Sequence, residues 1–218
     1  MSGPLTIQLR PALMTDCAML AEMVIYSGEN LIVRAFGGNR PDALLSVQAL
    51  CRAPGTMFSY AMATVATIAG GSGPESAGVV ITHPSTRERL SARALGDILV
   101  RERGWLHVLR MAPLALALQR CSEPIPTEST YVSILAVHPD RRSQGIGAHL
   151  LRHAESIARH EGDSTVCLDV ELDNPRAIAF YERNGYRTQS ERLASAYLRA
   201  QQIGGMRRMY KPLAELTA

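Results

Sequence analysis

The apolar and polar positions fall into two alternating rhythms. Short β-branched or apolar runs recur at 5–10, 58–68, 77–82, 131–137, 165–172, 186–190 and 204–212, each bounded by Gly, Pro or Asp. Such runs predict strands. Between them lie helical spacings. The first runs from an N-cap at Thr15 or Asp16 to Ile25, with Ala18, Leu20, Ala21, Val24 and Ile25 apolar. Asn30 to Phe36 and Asp42 to Cys51 predict two more helices, ended by Gly37-Gly38 and Pro54-Gly55. Gly70 to Pro74 predicts the turn of a hairpin. Thr86 to Arg120 carries helical spacing at Leu90, Ala94, Ile98, Leu99, Leu106, Leu109, Leu114 and Leu118, and is expected to break at Gly104 and Pro113. Ala148 to His160 is helical through Leu150, Leu151, Ala154, Ile157 and Ala158. Pro175 sits at the first position of a further helix behind Asp173 or Asn174, and Asn184-Gly185 ends it. The span 193–202 is ambiguous.

The centre of this pattern is the junction between the strand Tyr131–Val137 and the helix after it. There Arg141-Arg142-Ser143-Gln144 leads into Gly145-Ile146-Gly147. A glycine loop at a helix start presents N–H groups and the positive end of the helix dipole, so the junction predicts an anion site, most naturally for phosphate. It is neither a dinucleotide fingerprint, lacking the third glycine, nor a P-loop, lacking Gly-Lys-Ser/Thr.

Arg142-Ser143-Gln144-Gly145-Ile146-Gly147 does resemble the (Gln/Arg)-x-x-Gly-x-(Gly/Ala) loop of the GNAT (Gcn5-related) N-acetyltransferase superfamily. Leu135-Ala136-Val137-His138-Pro139 resembles that family's fourth strand and its exit. Leu168, Val170, Asn174, Ala177, Phe180-Tyr181 and Gly185-Tyr186 resemble its second signature. The two motifs span about a quarter of the chain. The resemblance implies an α/β (α+β) fold: a mixed, mostly antiparallel sheet of six to seven strands flanked by helices. Residues 1–218 would form a single domain, with a helical insertion near 84–125 between strands three and four and an acyl-CoA-binding core at 131–186. That insertion is a candidate wall of the acceptor pocket or a structural cap.

The same resemblance implies acetyl-CoA as acyl donor. Backbone N–H groups of Gln144, Gly145, Ile146, Gly147 and Ala148 would hold its pyrophosphate, with Arg142 and Ser143 nearby. The backbone of Leu135, Ala136 and Val137 would pair with the pantetheine arm where the strands splay, and Asn174 and Ala177 would border that arm. Tyr181 would protonate the departing thiolate. As rival roles, the loop is an ordinary turn, Leu135 and Val137 are core, Tyr181 packs without donating, and Asn174 is a helix cap. Many relatives carry a carboxylate base on or before the central strand. Here Glu123, Glu128 and Glu171 are the nearest acids, none at a defining spacing, so the base and the acceptor stay open.

The function implied is transfer of an acetyl group to a primary amine of a small molecule or peptide, by direct attack in a ternary complex. The alternatives are another acyl-CoA, a protein N-terminus as acceptor, or a non-catalytic acyl-CoA-binding regulatory module. Composition changes this little. The 218 residues are 46% hydrophobic and 20% charged, with a net charge of +3 too small to argue for nucleic acid. Of 23 basic residues only Lys211 is lysine. Cys17, Cys51, Cys121 and Cys167 form no C-x-x-C pair, so free buried thiols in a reducing cytoplasm are expected. Met1 to Arg10 carries no basic region followed by an apolar run, and no apolar run reaches about 18 residues, so neither a signal peptide nor a membrane span is expected. His149 and His153 lie four apart, yet off the apolar stripe; a solvated face is expected there and no metal site. A monomer or homodimer is expected.

Overall fold

The computed structural model describes residues 6–70, 73–86 and 92–213. In chain order the elements are β1 (Ile7–Pro11), α1 (Cys17–Ser27), α2 (Glu29–Phe36), α3 (Arg40–Arg52), β2 (Ala63–Gly70) and β3 (Gly73–His83). Next come α4 (Ala92–Arg103), α5 (Trp105–Cys121), β4 (Ser129–Val137), α6 (Ile146–His160) and β5 (Thr165–Glu171). The chain ends with α7 (Pro175–Arg183), β6 (Arg187–Leu193), α8 (Ala196–Ala200) and β7 (Gly205–Pro212). The strands form one seven-stranded sheet, ordered β1-β2-β3-β4-β5-β7-β6. Only β4 and β5 run parallel among its neighbouring pairs. A mixed, mostly antiparallel sheet flanked by helices is the architecture expected.

Two features of β4 shape the centre of the sheet. Ile81 pairs with Ile134 but Thr82 pairs with Val132, so Ser133 is an extra residue, a β-bulge. Its hydroxyl is anchored on the Met57 carbonyl at 2.7 Å. The bulge reverses the side-chain alternation: Val132 packs on the α6 side, whereas Ile134 and Ala136 pack on the α1 side. Pairing with β5 stops at Val132–Leu168. From there β4 bends away, and the two strands diverge over their last residues.

Both faces of the sheet are covered. On one, α1 and α3 bury Leu20, Val24, Ile25 and Leu50 against Val65, Val79 and Ile81. On the other, α6 buries Leu150, Leu151, Ala154 and Ala158 against Val80, Val132, Val166 and Leu168. Leu150 and Leu151 are fully buried, each contributing about 1.5–3 kcal/mol through removal from water.

Several local expectations change. Asp16 does not cap α1; its carboxylate holds Arg10 and the Leu13 N–H instead. The cap of α3 is Asn39, whose side chain accepts from the Asp42 N–H at 3.0 Å. The strand expected from Phe58 starts at Ala63, after a 3₁₀ turn at Tyr60–Met62. Gly104, at φ 85°, separates α4 from α5 as expected, but Pro113 lies inside a continuous α5. It sits on an exposed face, where the carbonyl it leaves without a donor is solvated. The span between β3 and β4 thus carries two helices, with residues 87–91 outside those described. The ambiguous span after Leu193 forms α8.

His149 and His153 are not on a solvated face. Both are half-buried, and His153 Nε2 lies 3.2 Å from Thr64 Oγ1, with burial lowering its pKa. Glu155, two residues after His153, is 5% exposed and accepts from Lys211 at 2.8 Å. All four cysteines are buried and none is in a disulfide, as expected.

Candidate active site

The divergence of β4 and β5 leaves backbone groups without a strand partner. His138 donates its N–H to Ala77 at 2.9 Å, and the Ala136 carbonyl also faces β3 beside Gly78. Strand alternation therefore turns the N–H and C=O groups of Leu135 and Val137 into the gap. A ligand with amides can pair there as an added strand.

The loop that follows closes one end of the gap. Ser143 and Gly145 adopt left-handed conformations, φ 62° and 81°, on either side of Gln144. Alternating handedness of this kind turns successive N–H groups inward as an anion-binding nest, and α6 begins at the next residue. A Cβ on Gly147 would stand 3.3 Å from the Phe180 ring and 3.6 Å from Val137, so glycine there keeps the cleft open beside α7. Gln144 departs from its expected neighbours: its side chain turns back to the Asp140 carbonyl at 3.4 Å and does not line the cleft.

The opposite wall is α7. Asn174 caps it, accepting from the Ala177 N–H at 3.0 Å; Asp173 instead accepts from the Gly204 N–H. At the other end the Tyr186 N–H reaches the Tyr181 carbonyl, and Gly185, at φ 87°, reaches that of Glu182, a Schellman closure. Tyr181 is 9% exposed, and its ring meets Phe180 and Tyr186 at 5.3 and 5.9 Å. Its hydroxyl has no hydrogen-bond partner among the described residues. Burial pushes its pKa well above the ordinary tyrosine value, so its hydroxyl keeps its proton.

These surfaces enclose a cavity of about 460 Å³. It is lined by Leu135, Ala136, Val137, Arg142, Ser143, Gly145, Ile146, Gly147, Ala148, Asn174, Ala177 and Tyr181, all expected as site residues. The sequence reading missed Tyr26, Ser27, Arg141, Arg176, Phe180, Arg183 and Asn184 in the same lining. Phe180 and Asn184 were readable from helical spacing around Tyr181; Tyr26 and Ser27, over a hundred residues away, carried no signal. Arg141 is held by Glu75 at 2.8 Å. Arg142 reaches only carbonyls, of Val137 and Tyr26, and Arg176 only the Ser143 hydroxyl. Arg142, Arg176 and Arg183 form a cationic rim without carboxylate partners among the described residues.

The candidate bases separate clearly. Glu123 is taken up by Arg192 and Ser190, which hold its pKa below the usual range. Glu128 precedes β4, at the end of the strand remote from the cleft. Asp169, which the sequence reading did not consider, accepts from Arg208 at 2.5 and 2.9 Å and from the Tyr131 hydroxyl at 3.2 Å. Glu171 ends β5 half-buried, its pKa raised by burial and then by Asp173. No cluster of three or more metal-ligating side chains occurs among the described residues, and no described helix is long and apolar enough to cross a membrane.

Comparison with known proteins agrees with this architecture. Residues 110–186 match the model of the acetyltransferase (GNAT) family. N-alpha-acetyltransferase 30 of Schizosaccharomyces pombe is 34% identical over 68 residues, 31% of this chain and 45% of that relative. The match therefore spans less than half of the relative's own length. An N-acetyltransferase from Staphylococcus aureus Mu50 shares the fold at a TM-score of 0.62 and 14% identity, covering 93% of this chain and 99% of that one. So does a NatC complex bound to Gag peptide and CoA, at a TM-score of 0.56 and 15% identity, covering 95% and 99%. With both motifs in order on this fold, the segment 110–186 is similar to the acetyltransferase (GNAT) family.

Proposed function

We propose that this protein is an N-acetyltransferase that moves an acetyl group from acetyl-CoA to a primary amine, by direct attack in a ternary complex. One observation carries the reading. A single cleft brings together an opened strand edge, a nest of N–H groups at a helix start, and a neutral phenol without a hydrogen-bond partner among the described residues.

The loop N–H groups of residues 144–148 hold the pyrophosphate, and the arginine rim adds charge. The pantetheine amides pair with the backbone of Leu135 and Val137. Asn174 keeps its amide N–H₂ for the same arm while its oxygen caps α7. The acceptor nitrogen attacks the thioester carbon from the α1–α2 side, and a tetrahedral intermediate forms. As the C–S bond breaks, Tyr181 gives its proton to sulfur. The proton shed by nitrogen restores the phenol. The products are the acetamide and free coenzyme A, and no metal ion is assigned a role.

A second reading of the acceptor is the α-amino group of a peptide. It is favoured by the matched relative named as an N-alpha-acetyltransferase and by the NatC complex described with a peptide.

Calorimetric titration with acetyl-CoA, followed by thiol release with small amines and with a peptide bearing a free N-terminus, tests both. Micromolar binding and thiol release with an amine are expected. Binding without release from any amine would leave an acyl-CoA-binding module. No binding by folded protein would overturn the reading.

A further inference from the structure

Two carboxylates leave β5 two residues apart, and so on one face of the strand: Asp169 and Glu171. Their surroundings differ. Asp169 is committed to Arg208, which is 2% exposed and also donates to the Glu123 and Pro124 carbonyls. Both of its oxygens are thereby occupied by guanidinium donors.

Glu171 has no hydrogen bond to its carboxylate among the described residues. It lies past Leu168, on the stretch of β5 that no longer pairs with β4. It reaches the junction of α1 and α2 so closely that a Cβ on Gly28 would stand 2.9 Å from its Oε1. Tyr26 and Ser27, just before Gly28, line the cleft that also holds Tyr181. Glu171 therefore stands beside the opening, across the gap from the β4 backbone.

The charged groups around it do not neutralise it. Asp173 on the same segment raises its pKa further and binds the Gly204 N–H. Across the ladder its partner is Met206. Arg207 on β7 pairs with Glu182 and Glu191, and Glu29 on α2 pairs with Arg40.

We infer that Glu171 is the catalytic residue that receives the acceptor as a primary ammonium and takes its proton. The inference rests on the acetyl-transfer reading above. The ammonium N–H bond breaks, its proton goes to a Glu171 carboxylate oxygen and then to water, and the freed nitrogen lone pair forms the C–N bond. The nitrogen's second proton leaves after attack, while sulfur receives one from Tyr181. The net reaction releases a single proton. Gly28 leaves the space that the carboxylate and the incoming amine share.

The test is the pH profile of thiol release for wild type, Glu171→Gln and Glu171→Asp, with acetyl-CoA affinity and thermal unfolding measured beside it. A half-buried Gln is isosteric, so an intact fold is expected. In Glu171→Gln, kcat/KM for the amine should fall about 100-fold and its acidic limb should vanish, with acetyl-CoA affinity retained. Glu171→Asp should keep the limb at an intermediate rate. A Glu171→Gln enzyme that keeps both the limb and the wild-type rate overturns the assignment while leaving acetyl transfer intact. Wild type that binds acetyl-CoA but acetylates no amine overturns the transfer reading and this inference together.

Discussion

Gly145 lets backbone strain be separated from ligand electrostatics. Its φ is 81°, and a Cβ built there meets no atom within 4 Å. Gly145→Ala therefore adds strain without a clash. The left-handed conformation costs about 1–2 kcal/mol for a residue with a Cβ, which lowers Tm by about 2–8 °C in a chain of this size. Gly145→Glu adds the same strain plus a negative charge at the mouth of the N–H nest. At a separation of about 5 Å and an effective dielectric of about 20, each phosphate charge is opposed by about 3 kcal/mol. That corresponds to about 100-fold in affinity. The assay is calorimetric titration with acetyl-CoA on both variants, with thermal unfolding in parallel. The expected result is matched loss of Tm and divergent affinity, Ala near wild type and Glu weakened about 100-fold or more. Equal affinities in the two variants would refute the placement of the pyrophosphate at this loop.

Other perturbations probe the walls of the cleft. Tyr181→Phe should lower kcat about 100-fold with little change in donor KM, since only thiolate protonation is lost; steady-state kinetics decide it. Gly78→Ala would place a Cβ 2.9 Å from the Ala136 carbonyl oxygen and 3.0 Å from Leu150. Overpacking should destabilise the protein by about 1–3 kcal/mol and, through Ile146 at 3.2 Å, shift the start of α6 and weaken acetyl-CoA; urea unfolding and calorimetry report both. Asp169→Asn leaves the buried Arg208 charge without its partner and should destabilise by about 3 kcal/mol, seen as a lower urea midpoint.

What could be read before the structure was local. Strand Tyr131–Val137, the loop 142–147 and helix α6 declare themselves within a few residues, because apolar periodicity and glycine conformation act over one or two turns. The Asn174-Pro175 start and the Asn184-Gly185 end of α7 are likewise legible from capping chemistry alone. Where two caps were open, as with Thr15 and Asp16 before α1, the candidates differ by less energy than a tertiary contact supplies, and Arg10 takes up the Asp16 carboxylate. Pro113 was misread as a break for the same reason, since solvent on one side and packing on the other outweigh a single lost hydrogen bond.

The sequence alone thus determined the order of most strands and helices, the glycine loop ahead of α6, and which helix carries the tyrosine. Tertiary structure decided the rest. The Ser133 bulge and the end of pairing at Val132–Leu168 depend on β3 and β5 together, and they open the cleft. Tyr26 and Ser27 reach it only because α1 packs over β4. Arg208 occupies Asp169 and leaves Glu171 beside Gly28 only once β5 and β7 are in register. Each of these rests on contacts between residues far apart in the chain, and their free energy comes from packing that no local pattern encodes.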